Sequence, residues 1–464
     1  AQAVNPQHMS AASPARLTLT VLVLALLAPK GAAFLAQTPL LRTPAHRPPS
    51  VGLRGGRAEL GMSLFPTGSG VAGAVTRGPG SIRVDFPSVL DNSDPFVLDT
   101  MTERVPTKIV GRTVEYNKDK LGEEALKAMG EIGEEMKGDK QIRLLTKGPN
   151  LDHWNTCLKP WVAAGTTWGK LPWYVGETYV YHRLLEASGY FEEGEKGHAF
   201  DIFAAEKADA LALAMPQVEA RSKICADASG RWDEASLTAM VKMSLWGNQG
   251  DSSLFTIQDM AAMGGEAKSD EGILVDDASD AWNALEAAEL RGGGIEIHFL
   301  NDNAGLELVS DLMLSHFLLS SGKVQAVSLH LKPYPFFVSD AIEADVRHTV
   351  SVLASSKDAE TGKIGMELQG MLDSKKLRMT TQGPLNLFLA SPEPMWCMDA
   401  AAREVLKGST LTIAKGDLMY RKLLGDLTFE PTEFFEEITS YFPSPLLALR
   451  TCKSPVAVGM RQDM

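Results

Sequence analysis

Six residues, IEIHFL at 295–300, run almost directly into Asp302 and Asn303, then Gly305, then the amphipathic stretch LELVSDLMLSHFLLS. An apolar run that short reads as a strand buried on both faces, and the change to a three-and-four spacing after the glycine reads as a helix over about 305–320. Gly322 stops that helix, and VQAVSLHL at 324–331 supplies a second apolar run. Strand, helix and strand in this order form a βαβ unit, so this part of the chain must contain a parallel sheet with helices on its faces. The runs at 347–353, 409–414 (STLTIA), 446–449 and 455–460 read as further strands, and SSKDAETGKIGMELQG as a polar loop.

Upstream the pattern differs. Segments such as GEEALKAMGEIGEEM, YVYHRLLEAS and DEASLTAMVKMSLW repeat apolar residues at helical spacing, and DHWNTCLKPWVAAGTTWGKLPWYV adds large rings that pack a helical bundle. The expected organisation is a leader over 1–80, a helical domain over 81–290 and a Rossmann-like α/β domain over 291–464, its sheet mainly parallel and flanked by helices.

Residues 1–80 hold seven Lys/Arg and one acid, Glu59, which leaves 38 basic against 57 acidic residues in the rest of the chain. So acidic a body is not built to bind a nucleic-acid backbone. Within the leader, Arg16 precedes the apolar LTLTVLVLALLA at 17–28, too short for an ordinary membrane span. Gly31 and Ala33 stand at the small-residue positions of a cleavage site and Phe34 follows the cut, so 9–33 reads as a signal peptide with Met9 as its start. Residues 34–80 are rich in Arg, Pro, Ser and Thr and nearly free of acid, as transit peptides are. Together the two parts resemble the bipartite leader of algae with complex plastids; the secretory pathway is the simpler destination. Cys157, Cys225, Cys397 and Cys452 form no CxxC and have no histidine nearby at zinc spacing, so they read as buried free thiols.

In a parallel sheet, ligands bind outside the carboxyl ends of the strands. Asp302 and Asn303 lie at one such end, and KPYPFFVSDA delivers Asp340 after the next strand. Two carboxylates and an amide oxygen form an oxygen-rich site suited to Mg²⁺ or Mn²⁺. Asp302 alone could equally cap the following helix. A third strand end carries Lys415, Gly416, Asp417, Tyr420 and Arg421, and a fourth carries Arg450, Thr451 and Lys453, donors suited to an anion such as phosphate. The chain has no GxSxG, HExxH, GxxxxGK[ST] or Asp-x-Asp-x-Thr motif after any strand, and its RGGG precedes a strand instead of following one.

NDNAGLELVSDLML, KPYPFFVSDA, KGDLMYRKLLGD and LRTCK, with KLPWYVGETYVYHRLLEA and SLWGNQGDSSL from the helical half, resemble the metal-dependent damage-control phosphatases. That family also carries the label of acidic-residue (protein-glutamate) O-methyltransferase. The Arg-Thr-x-Lys element is similar to that of its sugar-phosphate subfamily. The resemblance implies Asp302, Asn303 and Asp340 as catalytic residues and ligands of Mn²⁺, Co²⁺, Ni²⁺ or Mg²⁺. It also implies Asp302, Asn303, Gly416, Asp417, Leu418, Met419, Tyr420, Arg421 and Lys453 as contacts of a small phosphosugar. Glu307 and Asp340 would meet S-adenosylmethionine if the methyltransferase label holds. Glu177, Asn248, Asp251, Lys415 and Arg450 are secondary candidates. Met419 stands where the family has Asn, Gly250 where it has Cys or a similar residue, and the TTQGPLNLFLASPEPMW segment lacks a Phe-Trp-Thr run. The expected activity is metal-dependent hydrolysis of sugar phosphates such as fructose 1-phosphate, with a carboxyl methyltransferase or a catalytically silent binding domain as the competing readings.

A fluorescent protein fused behind residues 9–80 is expected to reach the plastid of a complex-plastid alga; accumulation in the medium would refute the bipartite reading.

Overall fold

Ile295–Leu300 lies inside a row of six parallel strands. The computed structural model describes residues 20–26, 87–250 and 272–461. Its strands are β1 (Thr20–Leu26), β2 (Ile273–Asp276), β3 (Ile295–Leu300), β4 (Val324–His330), β5 (Leu377–Thr380), β6 (Leu411–Lys415) and β7 (Leu446–Cys452), in the order β2-β1-β7-β6-β3-β4-β5. From β3 the chain builds outward through β4 and β5, then returns to place β6 and β7 on the other flank. The direction of winding therefore reverses between β3 and β6, which opens a crevice at their carboxyl ends. Beyond β7, β1 pairs parallel and β2 pairs antiparallel to β1. β1 falls on the apolar run read as the signal sequence; the rest of the leader lies outside the described residues.

Six helices position the site: α1 (Leu151–Ala163), α2 (Trp173–Ser188), α3 (Ala204–Ala228), α4 (Glu234–Leu245), α5 (Leu306–Ser320) and α6 (Gly416–Leu424). α5 is the crossover between β3 and β4, and every residue from Leu306 to Leu319 is buried. A helix enclosed on all sides must satisfy its polar groups internally. Ser310 and Ser315 hydroxyls donate to the carbonyls of Leu306 and Asp311, and His316 pairs with Glu367 at 2.6 Å. α2 is enclosed in the same way, apart from Ala187, and stops at Gly189, whose φ of 80° suits a residue without Cβ.

Two apolar cores fill the space between these elements. One joins Trp154, Trp168 and Trp173 of the aromatic segment, and Tyr179, to Phe336, Met419 and Tyr420. The other packs α3, α4 and α5 against the sheet through Leu211, Met240, Leu312 and Phe299. Each core draws on residues from both sides of residue 290.

Three segments fold otherwise than their residues predict. Residues 347–353 belong to the helix Glu343–Ala354, in which Val346, Thr349, Val350 and Leu353 are buried at helical spacing. The expected loop at 355–370 holds most of the helix Ala359–Asp373, capped by the Asp358 side chain accepting from Thr361 N–H. Residues 455–460 form no strand. Their backbone is committed elsewhere: Val456 O accepts from Arg450, Val458 N–H donates to the Tyr420 hydroxyl, and the N–H groups of Gly459 and Met460 donate to Glu433 and Pro431.

Leu312 lies fully buried at the middle of α5. Leu312→Ala is expected to cost about 2–5 kcal/mol in urea unfolding, whereas Leu290→Ala, at a side chain 82 % exposed, is expected to stay within about 0.5 kcal/mol. Equal effects would contradict this packing.

Candidate active site

At the reversal point, two corners meet. β3 ends at Leu300 and presents Asp302; β6 ends at Lys415 and turns through Gly416 into α6. Gly416 adopts φ 76°, and a Cβ there would lie 1.7 Å from Asp302 Oδ2. Glycine is therefore required twice, by the left-handed backbone and by the carboxylate against it.

Asp340 arrives by a longer route, ten residues beyond the end of β4. Residues 339–341 lie antiparallel against 302–304: Ala341 N–H donates to Asp302 O at 2.7 Å, Ala304 N–H donates to Ser339 O at 2.7 Å, and Asn303 bridges Asp340. The Asn303 amide oxygen accepts from the Ser339 hydroxyl at 2.7 Å, while its NH₂ donates to Asn248 Oδ1 at 3.1 Å, Asp302 Oδ2 at 3.2 Å and Glu307 Oε2 at 2.8 Å. Asp340 pairs with the buried Lys332 at 3.1 Å. Oδ1 of Asp302, also buried, has no hydrogen-bond partner among the described residues. Loss of hydration, then the charges of Glu307 and Asp340, push the Asp302 carboxyl well above its ordinary range against the opposing pull of Lys332 and Lys453.

The cleft above these groups is lined by Asp302, Asn303, Ser339 and Asp340, by Asp417, Leu418 and Arg421 of α6, by Lys453, and by Glu177 and Trp173 of α2. Phe96, Arg104 and Phe337 complete the wall. Arg421 donates to Glu177 at 2.7 Å and twice to Asp426, at 2.9 and 2.7 Å, and its guanidinium lies 3.5 Å from the centre of the Trp173 ring. Although burial opposes its charge, Asp426 and Glu177 raise its pKa. Arg104 reaches Glu177 at 3.3 Å from a π-wound stretch, Thr100–Ile109, that contains Pro106. Asp417 accepts from Arg450 at 2.7 Å and from Lys453 N–H at 3.1 Å. Burial disfavours its charge, yet Arg450 and Arg421 hold it below the usual carboxylate range. Lys453 Nζ donates to Asn248 Oδ1, which connects the loop after α4 to the strand-end cluster.

Other candidates lie behind the cleft. Glu307 is 2 % exposed and is engaged by Asn303 and, at 3.5 Å, by Lys415. Lys415 also pairs with Asp311 at 3.1 Å and donates to the carbonyl and hydroxyl of Ser244. Burial, then Lys415 in opposition, leaves Asp311 pushed up to about 7. Met419, implied by the resemblance as a substrate contact, is fully buried in the aromatic core and does not line the cleft. Tyr420 stacks on Phe435 with ring centres 5.5 Å apart and is covered by Arg450. Asp251 lies outside the described residues.

Phe96 and Arg104 escaped the sequence reading because no motif surrounds them. A proline inside a helical pattern, Pro106, was the available signal of an irregular helix. Trp173, Phe337 and Ser339 lie in segments singled out for other residues.

A family model described as the damage-control phosphatase ARMT1-like domain matches residues 100–463. Damage-control phosphatase ARMT1 of Xenopus tropicalis is 29 % identical over 406 residues, covering 79 % of this chain and 90 % of the relative. The protein of the same description from Danio rerio is 28 % identical over 405 residues, covering 79 % and 89 %. That from Homo sapiens is 26 % identical over 422 residues, covering 81 % and 92 %.

Gly416→Ala forces a Cβ against Asp302 and a side chain into the left-handed region. It is expected to destabilise by about 1–3 kcal/mol, read as a lowered urea midpoint; an unchanged midpoint would mean that the two corners are not in contact.

Proposed function

Because the chain belongs to the damage-control phosphatase ARMT1-like family, we propose that it is a divalent-metal-dependent phosphatase acting on small sugar phosphates. Asp302, Asn303 and Asp340 are the residues that would hold Mn²⁺, or Co²⁺, Ni²⁺ or Mg²⁺. The observation that carries this reading is the buried Oδ1 of Asp302, without a hydrogen-bond partner among the described residues, in a cleft whose neighbouring carboxylates already disfavour its charge. Such a carboxylate is served by a cation, and all-oxygen donors suit a hard one. When bound, a divalent ion supplies polarisation of a phosphoryl oxygen and acidification of a water molecule.

The chain's own residues account for binding. Lys453 and Arg421 bring positive charge to the same cleft, and Gly416 opens α6 with backbone N–H groups suited to a phosphate oxygen. Asp417 would otherwise repel that anion, but Arg450 and Lys453 N–H occupy its Oδ1. Asn303 is fixed through both ends of its amide, by Ser339 on the oxygen and by Asn248, Asp302 and Glu307 on the nitrogen. Phe96 and Phe337 give the cleft an apolar wall against which a sugar face can pack.

The methyltransferase reading finds less support. Glu307, on which it rests, is enclosed behind Asn303 and engaged by Lys415.

The test is phosphate release from a panel of phosphosugars by the full chain with Mn²⁺. Release is expected to vanish with a chelator, to return with added metal, and to fall about 10²-fold or more in Asp302→Ala. No release from any sugar, together with transfer of a labelled methyl group to protein, would sink the proposal.

A further inference from the structure

A second group of side chains with metal-binding chemistry lies outside the cleft. His153 and Cys157 are one turn apart on α1, which corrects the expectation that no histidine lies at zinc spacing from a cysteine. Glu393, from the loop after the short helix Pro384–Leu389, meets them. His153 Nε2 contacts Glu393 Oε2, and one ligand atom from each of the three residues lies within 4.8 Å of the other two. Cys157 and Glu393 are each 4 % exposed, whereas the His153 side chain is 39 % exposed and provides a way in from solvent.

The plainer reading is a buried histidine–carboxylate pair beside an inert thiol. The chain contains that arrangement elsewhere, and the comparison separates the two. His316 bonds Cys225 at 3.5 Å through Nδ1 and Glu367 at 2.6 Å through Nε2, so its partners lie on opposite sides of the ring and share no common point. Around His153 the nitrogen, sulfur and carboxylate oxygen converge. Among the described residues no other group of three His, Cys, Asp or Glu side chains does so.

The loop that carries Glu393 is also held in place. Lys422 Nζ donates to the carbonyls of Ser391 at 2.8 Å and Glu393 at 2.7 Å, and it lies 4.4 Å from the centre of the Phe388 ring. Trp396 covers Gly425 at the end of α6 so closely that a Cβ there would lie 2.1 Å from the indole. The same helix presents Asp417, Leu418 and Arg421 to the cleft. An ion at His153 would therefore tie α1 to the loop that backs α6.

We propose that His153, Cys157 and Glu393 form a second metal site, separate from the cleft, that takes a borderline-soft divalent cation of the zinc type, with the fourth position filled by solvent. Nitrogen, thiolate and carboxylate donors are the set such a cation selects, whereas the cleft offers oxygen alone. Binding releases the thiol proton as the sulfur–metal bond forms.

Cobalt(II), titrated into the metal-stripped full chain, is the probe. A thiolate-to-cobalt charge-transfer absorption is expected to grow in the near ultraviolet, to be lost in Cys157→Ser, to weaken in His153→Ala and to persist in Asp302→Ala. Circular dichroism checks that each variant is folded. Should Cys157→Ser fail to fold, the half-exposed His153→Ala decides, because an undiminished absorption there overturns the site. No sulfur-to-cobalt absorption in the parent chain, or one that survives in folded Cys157→Ser, overturns it as well.

Discussion

The contact between Asp302 and Gly416 joins the two halves of the sheet at the point where its winding reverses. A side chain on residue 416 would occupy the carboxylate's own volume, so the crevice exists only because that corner has none. Asp340 on one side, and Asp417, Arg421 and Lys453 on the other, come together across this contact. The cleft thus follows from strand order and from one backbone conformation, with the helical half supplying its remaining wall.

Around that contact the protein buries an unusual amount of charge. Desolvating an ion costs several kcal/mol even after relaxation, and that cost is offset only where geometry and further hydrogen bonds are good. Arg421 meets this requirement with two carboxylates and an aromatic face, and Arg450 meets it with Asp417, the carbonyls of Val456 and Ser454, and the Tyr420 ring. Lys415 does so with Asp311, Glu307 and Ser244. Asp302 stands apart, because its nearest charges include two more carboxylates. Glu307 and Asp340 each have a lysine against them, whereas Oδ1 of Asp302 has no hydrogen-bond partner among the described residues.

Much of this was legible in the chain. IEIHFL followed by Asp-Asn, and STLTIA followed by Lys-Gly-Asp, announce strand ends because a fully apolar run cannot continue into charges and remain buried. The motifs around Asp302, Asp340, Gly416 and Lys453 carried the family resemblance. Residues 347–353 misled because β-branched Val and Thr suit strands by propensity, while their spacing suits a helix, and packing follows the spacing. Met419 misled for a related reason: a motif records which positions occur together, and only the helix's orientation decides which side chains face the cleft.

The sequence by itself determined a parallel α/β sheet, the strand ends at which charged residues gather and the family, since these rest on local periodicity and on short motifs. Tertiary structure alone decided that Asp340, ten residues past the end of β4, returns to Asn303, and that Glu177 reaches Arg421 from the helical half with Arg104 on its other oxygen. It alone joined Glu393 to His153 across an interval of 240 residues. Such contacts depend on how distant segments are laid together, and no local pattern in the chain encodes that distance.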